Sequence, residues 1–534
     1  MTLSSSVQFQ GNLLGALAAW ESLLGARGVI KDTASVTKAE QTTFACRNAI
    51  QALIYPETTQ QVQECLQIAN TFSIPVYPVS QGKNWGLGSR VPVQSGAVVM
   101  DLSRMTGITD FSEEMAYVTV EPGVTFQQLF EYLQAKQSGL MMDSIATTPY
   151  ASIIGNTMER GQGMGPLADR FSHVSGMTVI LPQGELVKTG FAGYRDSSLG
   201  PLAKWGVGAY VDGLFTQSNL GIVTELTLWL RPKPKVFQSF MAYLEADADL
   251  GPFTDAMRTL RLNGLDLSIR IFDDYRLMST TLQYPYLEVG NERPLPQNVR
   301  EQFRERLGGL GKWIALGGLY SRSAAMASLE AEEVRQAFAP HALKFVVFNE
   351  DTIAQQDFDG LSFQAPQLNT LYYQSMLRGF PSEMTLKMAY WRKRHPAPEL
   401  LQPLEDRCGL IWYCPALPCR GSDIRAAAGL IEQTCHAYGF ETNVGFLMLT
   451  ERTVVIIGGI VYDRDESGED EKAMACHDAL IEAFIERGWS PYRLGVPSMK
   501  WMNLADSGFL QMLSRIKSEL DPNNVLAPGR YQKS

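Results

Sequence analysis

The chain has 534 residues, of which 45% are hydrophobic and 19% are charged, and its formal net charge is −10. This length predicts two or three domains, and the composition is typical of a globular protein rather than a disordered one. The acidic balance argues against nucleic acid as the main partner, and the densest basic stretch, 392–395, is predicted to be a solvated loop rather than an anion site.

The sequence shows no pattern typical of a targeting segment, a membrane span or a metal site. The N-terminal segment MTLSSSVQFQ lacks the basic and apolar regions of a signal peptide. No stretch reaches the roughly 18 apolar residues that a membrane-spanning helix needs. Seven cysteines, an odd number without a CxxC pair, predict reduced thiols, no zinc site and a cytoplasmic location.

Short apolar segments separated by turns predict a mixed α and β unit up to about residue 235. Helical spacing of apolar residues predicts helices over Thr59–Phe72 and from Phe126 to Leu133. Strands are predicted over 74–79, 97–102, 116–120 and 222–230, with a hairpin over 177–189. The two prolines at 232 and 234 indicate a domain boundary.

The second half of the chain, from about 235 to 488, shows alternating helical and strand patterns without an internal repeat. Helices are predicted over 325–337 and 426–436, and a strand over 453–462. The acidic stretch 463–471 is predicted to be an exposed loop, and the last helix is predicted over 508–520.

Three glycine-containing segments are candidates for nucleotide binding. The loop 80–89 contains Gly82, Gly86 and Gly88, whose backbone can present successive N–H groups to phosphate oxygens. The segments SIIGN (152–156) and QSNLGIVT (217–224) can also bring amides close to a flat ring and to phosphates. Because the loop leads into a strand rather than a helix, a doubly wound dinucleotide fold is not predicted. Taken singly, each segment is more simply interpreted as a turn or a strand end.

Together, and in this order, these segments resemble the vanillyl-alcohol oxidase and p-cresol methylhydroxylase family of flavoproteins, in particular the branch with eugenol oxidase. The matching pieces are PVSQGKNWGLGS, VEPGVTFQQL, SIIGNTMERG, GMTVILPQGELVKTG, VDGLFTQSNLGIVTELTLWLRPKP and DPNNVLAPGR. The resemblance implies an α+β fold of two domains. Residues 1–235 would form the FAD-binding domain, residues 236–488 the substrate-binding cap, and residues 489–534 would return to the FAD-binding domain.

The resemblance also implies which residues hold FAD. The loop 80–89 would wrap the pyrophosphate, the other two segments and 121–123 would line the adenosine and isoalloxazine, and the C-terminal tail would close over the flavin. The implied FAD-binding residues are Ser80, Gln81, Gly82, Lys83, Asn84, Gly86, Gly88, Ser89, Pro122, Gly123, Ser152, Gly155, Asn156, Gly221, Ile222, Val223 and Arg530.

The substrate site departs from the family's pattern at three positions. Leu87 and Leu167 stand where the phenol oxidases have tyrosines, and Thr147 stands where they have an acidic residue near the flavin. The Tyr492–Arg493 pair is kept, and it can bind a phenolate or clamp a carboxylate. Trp412 aligns with an aromatic residue that lines the substrate cavity in relatives. Leu87, Leu167 and Trp412 together imply a more apolar pocket than that of the phenol oxidases.

Non-covalent FAD is expected, because Leu410 stands in register with the histidine that some family members link to the flavin. His395, in a nearby insertion, is the less favoured candidate for a covalent link, and Tyr413 and Cys408 are more remote ones. The five histidines are otherwise predicted to be surface or packing residues.

Three functions are compatible with this pattern. The first is an oxidase or dehydrogenase of a phenol or aromatic alcohol, which the Tyr492–Arg493 pair favours. The second is an oxidase or dehydrogenase of a non-phenolic compound such as a hydroxy acid or a biosynthetic intermediate, which Leu87, Leu167 and Thr147 favour. The third is a flavin-binding subunit without turnover. Dioxygen or an electron-carrier protein would reoxidise the flavin, and a homodimer is possible by analogy with the family.

Overall fold

The computed structural model describes residues 11–309, 311–349 and 374–532. Residues 1–10, on which the prediction of no signal peptide rests, lie outside these ranges. Within them, no helix has the length and apolar character required to cross a membrane. All seven cysteines are free thiols.

The first sheet has the strand order β1-β2-β4-β3, in which β2, β3 and β4 are parallel and β1 is antiparallel. Its elements are α1 (Leu13–Leu24), β1 (Val29–Ile30), α2 (Thr33–Ala39), β2 (Ile50–Ile54), α3 (Thr59–Phe72), β3 (Val76–Val79) and β4 (Ala97–Asp101). The α3 helix is confirmed at its predicted bounds: Thr58 caps it through a bond from the Gln61 amide, and Val62, Leu66 and Ala69 are buried.

The second sheet is antiparallel with the order β5-β6-β10-β8-β9, and the predicted hairpin is its β8–β9 pair. Its strands are β5 (Ile108–Ser112), β6 (Tyr117–Val120), β8 (Val174–Ile180), β9 (Leu186–Lys188) and β10 (Ile222–Trp229). The helices α4 (Phe126–Ala135) and α5 (Ile153–Met158) lie between these strands in sequence, and β7 (Leu140–Met141) pairs with β11 (Arg231–Pro232).

The SIIGN segment begins a helix instead of ending a strand. Ser152 caps α5 by accepting a hydrogen bond from the Gly155 amide, 2.9 Å away. Ile153 and Ile154 are both buried, so burial of these β-prone residues outweighs their local preference.

The third sheet is the largest, with the order β15-β12-β14-β13-β18-β19-β16 and β17 paired to β19. Its strands are β12 (Val236–Leu244), β13 (Leu267–Asp273), β14 (Trp313–Ser321), β15 (Lys344–Asn349), β16 (Cys408–Tyr413), β17 (Ala416–Pro418), β18 (Val444–Met448) and β19 (Thr453–Asp463). The accompanying helices are α6 (Asp247–Leu262), α7 (Asp274–Thr281), α8 (Tyr286–Val289), α9 (Gln297–Arg306), α10 (Ala324–Phe338), α11 (Gly421–Ala437) and α12 (Glu469–Glu486).

The two faces of this sheet have different partners. Along β16, Ile411 and Tyr413 pack into a core with helices α6, α10, α11 and α12. Leu410 and Trp412 point to the opposite face, as the two-residue period of a strand requires, and belong to a separate apolar cluster. This second face lies over the glycine loop, because the Trp412 amide donates to the Gly86 carbonyl at 3.2 Å.

Only half of the basic stretch is solvated, since Arg394 and His395 are exposed but the two residues before them are buried. Arg392 is 1% exposed and forms an ion pair with Glu441, and Lys393 is buried and forms an ion pair with Asp463. Buried cations are stable only when they are paired, and here acidic residues distant in sequence supply the partners.

The acidic stretch is also not an exposed loop throughout. The β19 strand extends to Asp463, which is buried, and α12 begins at Glu469, which pairs with Arg293. The two errors have one cause. Asp463, the residue that pairs with the buried Lys393, belongs to the stretch 463–471 that was predicted to be an exposed loop.

The C-terminal tail returns to the first two sheets after α13 (Ser507–Leu520), the predicted last helix. The Val76 amide donates to the Val525 carbonyl, and the Ala527 amide donates to the Val76 carbonyl, each at 2.8 Å. The Asn219 side-chain amide donates to the Ala527 carbonyl at 3.0 Å. The tail therefore joins the strand that precedes the glycine loop to the segment that precedes β10.

Candidate active site

A cavity of about 330 Å³ lies where the glycine loop, the start of α5, the segment before β10 and the C-terminal tail meet the third sheet. Many residues predicted from the sequence line it: Ser80, Gln81, Gly82, Lys83, Asn84, Leu87, Ser89, Pro122, Thr147, Ser152, Gly155, Asn156, Gly221, Ile222, Val223, Trp412, Tyr492, Arg493 and Arg530. The three candidate nucleotide-binding segments thus converge on one space.

The glycine loop exposes a run of unused backbone donors. Among the described residues, no group accepts a hydrogen bond from the amides of residues 81–85. Backbone N–H groups in a folded protein rarely lack partners, and successive amides form a concave site for anions. The Ser89 hydroxyl, buried and without a partner, lines the same cavity. These donors fit the pyrophosphate of a dinucleotide.

Gly86, Gly88 and Gly123 lie outside the cavity lining, although they were predicted to contact FAD. A Cβ atom on Gly86 would lie 2.3 Å from the Trp412 ring, and one on Gly88 would lie 2.5 Å from Val496. Both residues also have positive φ, 76° and 141°. Their role is to let the loop turn closely beneath the cap, whereas the Gly123 carbonyl supports the loop by accepting from the Gln81 side chain at 2.7 Å.

The start of α5 also packs closely against the glycine loop. A Cβ atom on Gly155 would lie 2.9 Å from the Ser80 hydroxyl, so a larger residue would push the helix away from the cavity. The Asn156 side-chain oxygen accepts a hydrogen bond from Arg170 at 2.6 Å, which fixes the orientation of its amide. Arg170 is 2% exposed and holds this part of the cavity wall from behind.

Arg530 closes the cavity from the C-terminal tail. Its guanidinium forms an ion pair with Glu159 at 2.6 Å and donates to the Tyr77 hydroxyl at 3.1 Å. Tyr531 donates to Glu159 at 2.9 Å. This cluster neutralises Glu159, the acidic residue in the described lining, and ties the tail to the end of α5.

Tyr492 and Arg493 form the polar end of the cavity, beneath the glycine loop. Arg493 donates to the Asn84 side-chain oxygen at 2.7 Å, and its Nε atom is buried without a partner. The buried Tyr492 hydroxyl makes no well-formed hydrogen bond, although the Arg493 guanidinium and the Cys414 thiol lie beside it. Burial raises the pKa of the Tyr492 hydroxyl well above its usual value, so it remains a donor.

The rest of this end is mainly apolar. Leu87, Leu410 and Met388 line it together with Trp412, and the Arg276 guanidinium lies 5.4 Å from the Trp412 ring centroid. Thr147 lines the cavity beside Ala146, so no carboxylate occupies this position. This end of the cavity therefore offers mainly apolar side chains to an aromatic or alkyl group of a ligand.

Leu167 does not line the cavity, which corrects its predicted place. Residues 163–168 form a short loop closed by a hydrogen bond from the Gly163 amide to the Ala168 carbonyl, and Leu167 is half-buried within it. Gly163 and Met164, at the start of this loop, are the residues that reach the cavity.

Sequence reasoning did not identify several lining residues: Trp85, Arg270, Arg276, Thr385 and Cys414. The two-residue period of β13 carries a signal for one of them, since Ile269 and Ile271 are apolar and Arg270 between them must face the other side. Burial raises the pKa of the Cys414 thiol to about 11.

The residues considered for a covalent flavin link differ in whether they line the cavity. Leu410, in register with the family's linking histidine, lines the cavity, and His395, Tyr413 and Cys408 do not. Within the described ranges no group of three or more His, Cys, Asp or Glu residues could hold a metal ion.

Comparison with known proteins identifies the fold and the cofactor. Residues 50–190 match the FAD binding domain family. The chain is 39% identical over 523 residues to 1'-carboxy-chondrochloren decarboxylase of Chondromyces crocatus, covering 97% of this chain and 96% of that protein. It is 30% identical to the flavoprotein subunit of 4-cresol dehydrogenase [hydroxylating] of Pseudomonas putida, covering 98% of this chain and 96% of the subunit.

Solved structures show the same likeness over almost the whole chain. The structure of p-cresol methylhydroxylase with substrate bound superposes with a TM-score of 0.88 at 28% identity, covering 97% of this chain and 96% of that one. The structure of 4-ethylphenol oxidase from Gulosibacter chungangensis in complex with isoeugenol gives a TM-score of 0.88 at 25% identity, covering 97% of each chain. The predicted α+β FAD-binding fold is confirmed, and the chain is an enzyme that belongs to the vanillyl-alcohol oxidase and p-cresol methylhydroxylase family of FAD-dependent oxidoreductases.

Proposed function

We propose that this enzyme removes a hydride from a small aromatic substrate whose phenolic or carboxylate group is bound by Tyr492 and Arg493. The observation that carries the proposal is the pair of buried, unpartnered donor atoms, Tyr492 Oη and Arg493 Nε, in the cavity that also holds the amide run of residues 81–85. Buried donors without partners are costly, so they indicate a ligand that accepts hydrogen bonds.

The substrate's anionic group fits this pair. The Arg493 guanidinium carries only N–H donors, and burial raises the pKa of the Tyr492 hydroxyl, so both groups donate to a phenolate or carboxylate oxygen. In a dry cavity these donors favour the ionised form of a phenol, which pushes electrons toward the para carbon and makes hydride leave more easily from the side-chain carbon attached to it. Leu87 adds no further donor, so this activation is weaker than with a third polar group.

The chain's own residues would hold FAD without a covalent bond. The amides of 81–85, the Ser89 hydroxyl and the start of α5 supply donors, and Arg530 closes the tail over the site. Bound FAD supplies the two-electron acceptor for the hydride that leaves the substrate. The cavity places no nucleophilic side chain at Leu410, and His395 does not line it.

Thr147 is proposed to contact the substrate or a bound water, not to act as a base. Its hydroxyl is a poor proton acceptor, and it stands where phenol oxidases of the family have a carboxylate. Trp412 and Leu87 are proposed to orient the substrate's aromatic ring through apolar contacts. Leu167, outside the lining, is not proposed as a contact residue.

Oxidative decarboxylation is a second candidate, favoured by the 39% identity over 97% of the chain to a protein named as a decarboxylase. Loss of a hydride from a carbon next to the carboxylate-bearing carbon would leave the first carbon electron-poor. The carboxylate would then leave as CO₂, and its bonding electron pair would form a C=C double bond. No proton has to be removed in this sequence, which suits a cavity with Thr147 in place of an acid.

The partners of the reaction stay predictions. Dioxygen or an electron-carrier protein would take the electrons onward, a homodimer is possible, and the cytoplasmic location rests on the sequence alone.

The test is anaerobic mixing of the purified holoenzyme with two panels, para-alkylphenols and 2-hydroxy acids. Bleaching of the flavin absorbance by the phenols alone is the expected result. Bleaching by the hydroxy acids alone, or by neither panel, would contradict the aromatic substrate class. Release of CO₂ with flavin bleaching, measured on a phenol with a carboxylated side chain, would support the second candidate.

A further inference from the structure

A second set of donors lies where the glycine loop meets the 3₁₀ helix Met384–Tyr390 of the cap. Lys83, Trp85 and Thr385 all line the cavity at this junction. The Lys83 ammonium lies 5.3 Å from the centroid of the Trp85 ring. Glu383, at the start of the 3₁₀ helix, acts electrostatically on Lys83, which places loop and helix side by side.

Two of these donors are buried and unused. Trp85 is 7% exposed and Thr385 is 5% exposed, and neither the Trp85 indole N–H nor the Thr385 hydroxyl has a hydrogen-bond partner. An indole N–H can only donate, so it needs an acceptor. Leaving such a group buried and unpaired is costly, and a ligand that accepts its hydrogen bond would recover that cost.

Lys83 supplies a positive charge at this junction, and the carboxylates of Glu383 and Glu405 act on it electrostatically. Lys83, at the rim, makes no ion pair within the ranges that the structure describes. The Glu383 carboxylate accepts a hydrogen bond from the Thr148 hydroxyl at 2.7 Å. The Glu159 carboxylate forms an ion pair with Arg530. An ammonium, an indole N–H and a hydroxyl lining one cavity match a carboxylate, which accepts several hydrogen bonds and carries the charge opposite to that of Lys83.

One loop contributes to both donor sets. Asn84 holds Arg493 through its side-chain oxygen, and its neighbours Lys83 and Trp85 belong to the second set. A substrate that contacts Tyr492 and Arg493 at one end is thereby offered a second polar contact elsewhere in the cavity.

We propose that Lys83, Trp85 and Thr385 form a second subsite that binds a carboxylate of the substrate, so that the substrate is an aromatic compound with a carboxylated side chain. This inference rests on the proposed function, because it assigns the other end of the substrate to Tyr492 and Arg493. It goes further by making Trp85 and Thr385 specificity-determining residues.

The experiment compares 3-(4-hydroxyphenyl)propanoate with 4-propylphenol, which differ in a terminal carboxylate against a methyl group. Anaerobic rapid mixing with the holoenzyme gives Kd and the limiting rate of flavin bleaching for each compound. The wild type is expected to bind the acid at least about tenfold more tightly than the alkylphenol. The variants W85F and T385V are each expected to lose most of that preference, while their Kd for 4-propylphenol changes less than about twofold.

Matched controls come from the cap interior. Trp391 and Thr254 also carry buried polar atoms without partners, but neither lines the cavity, so W391F and T254V are expected to keep the preference. A wild type without preference for the acid, or W85F and T385V with an unchanged preference, would overturn the subsite. Loss of flavin from W85F would also overturn it, because the donors would then serve the cofactor. Bleaching by 4-propylphenol together with any of these results would leave the proposed function standing.

Discussion

Replacing Tyr492 by phenylalanine removes one hydroxyl group from the polar end of the cavity and leaves the ring in place. Because that hydroxyl has no well-formed partner in the free protein, its loss is expected to leave the free energy of unfolding unchanged or to raise it by up to about 1 kcal/mol. The same hydroxyl donates to an anionic substrate in our account. A hydrogen bond to a charged group contributes about 1.5–3 kcal/mol, so kcat/KM is expected to fall about 10- to 100-fold.

Tyr413 offers a matched control, because its side chain lies on the face of the third sheet that points away from the cavity. Its buried hydroxyl donates to the Thr442 carbonyl at 2.9 Å, so Y413F is expected to lower the melting temperature while kcat/KM stays within about twofold. Steady-state kinetics and thermal unfolding of both variants, with flavin content measured alongside, make the comparison. If Y492F retained wild-type kcat/KM on every substrate that bleaches the flavin, Tyr492 would not bind substrate and the reasoning would fail.

Three further changes test the structure around the cavity. G86A is expected to cost at least about 2 kcal/mol of stability, since the new Cβ would lie 2.3 Å from the Trp412 ring and φ is 76°; urea unfolding measures it. K517M is expected to cost about 3–5 kcal/mol and to weaken FAD retention, because it leaves Asp521 charged and buried and frees the tail. D143N is expected to raise stability by about 1–3 kcal/mol at pH 8 but not at pH 4, measured by thermal unfolding across pH.

The sign of the last effect follows from burial, which raises the pKa of Asp143 from 3.8 to about 6 in the folded protein. The folded state therefore holds the proton more tightly, and stability from this group is lost as pH rises between these values. Equal effects of D143N at both pH values would contradict this assignment. G264A is the control for G86A: it shares a positive φ of 92° but has open space around it, so equal losses would refute the clash. An unchanged melting temperature in K517M would show that the tail does not depend on the ion pair.

Local patterns in the sequence were enough to predict the elements that combine an apolar stripe with a cap. The α3 helix has Thr58 before it and Val62, Leu66 and Ala69 on one face, and its bounds agree with the structure. The cavity end formed by Tyr492 and Arg493 could also be predicted, but from resemblance to a family and not from the local pattern.

Contacts between residues far apart in sequence explain the features that local sequence patterns did not predict. Arg392 and Lys393 are surrounded by charged or polar neighbours, and only the distant residues Glu441 and Asp463 make their burial possible. Trp85 and Thr385 are three hundred residues apart in sequence, yet both line the same cavity. Leu167 lies in the short loop that the Gly163–Ala168 hydrogen bond closes, and it is absent from the cavity lining.

The absorbance spectrum of the purified protein, recorded before and after acid precipitation, tests the central claim most directly. The account predicts a yellow protein whose flavin stays in the supernatant after precipitation, and a yellow colour that is lost when G155V displaces the start of α5 from Ser80. A colourless protein that takes up no added FAD would contradict the assignment of the amides of 81–85 to the cofactor. A yellow pellet would contradict non-covalent binding.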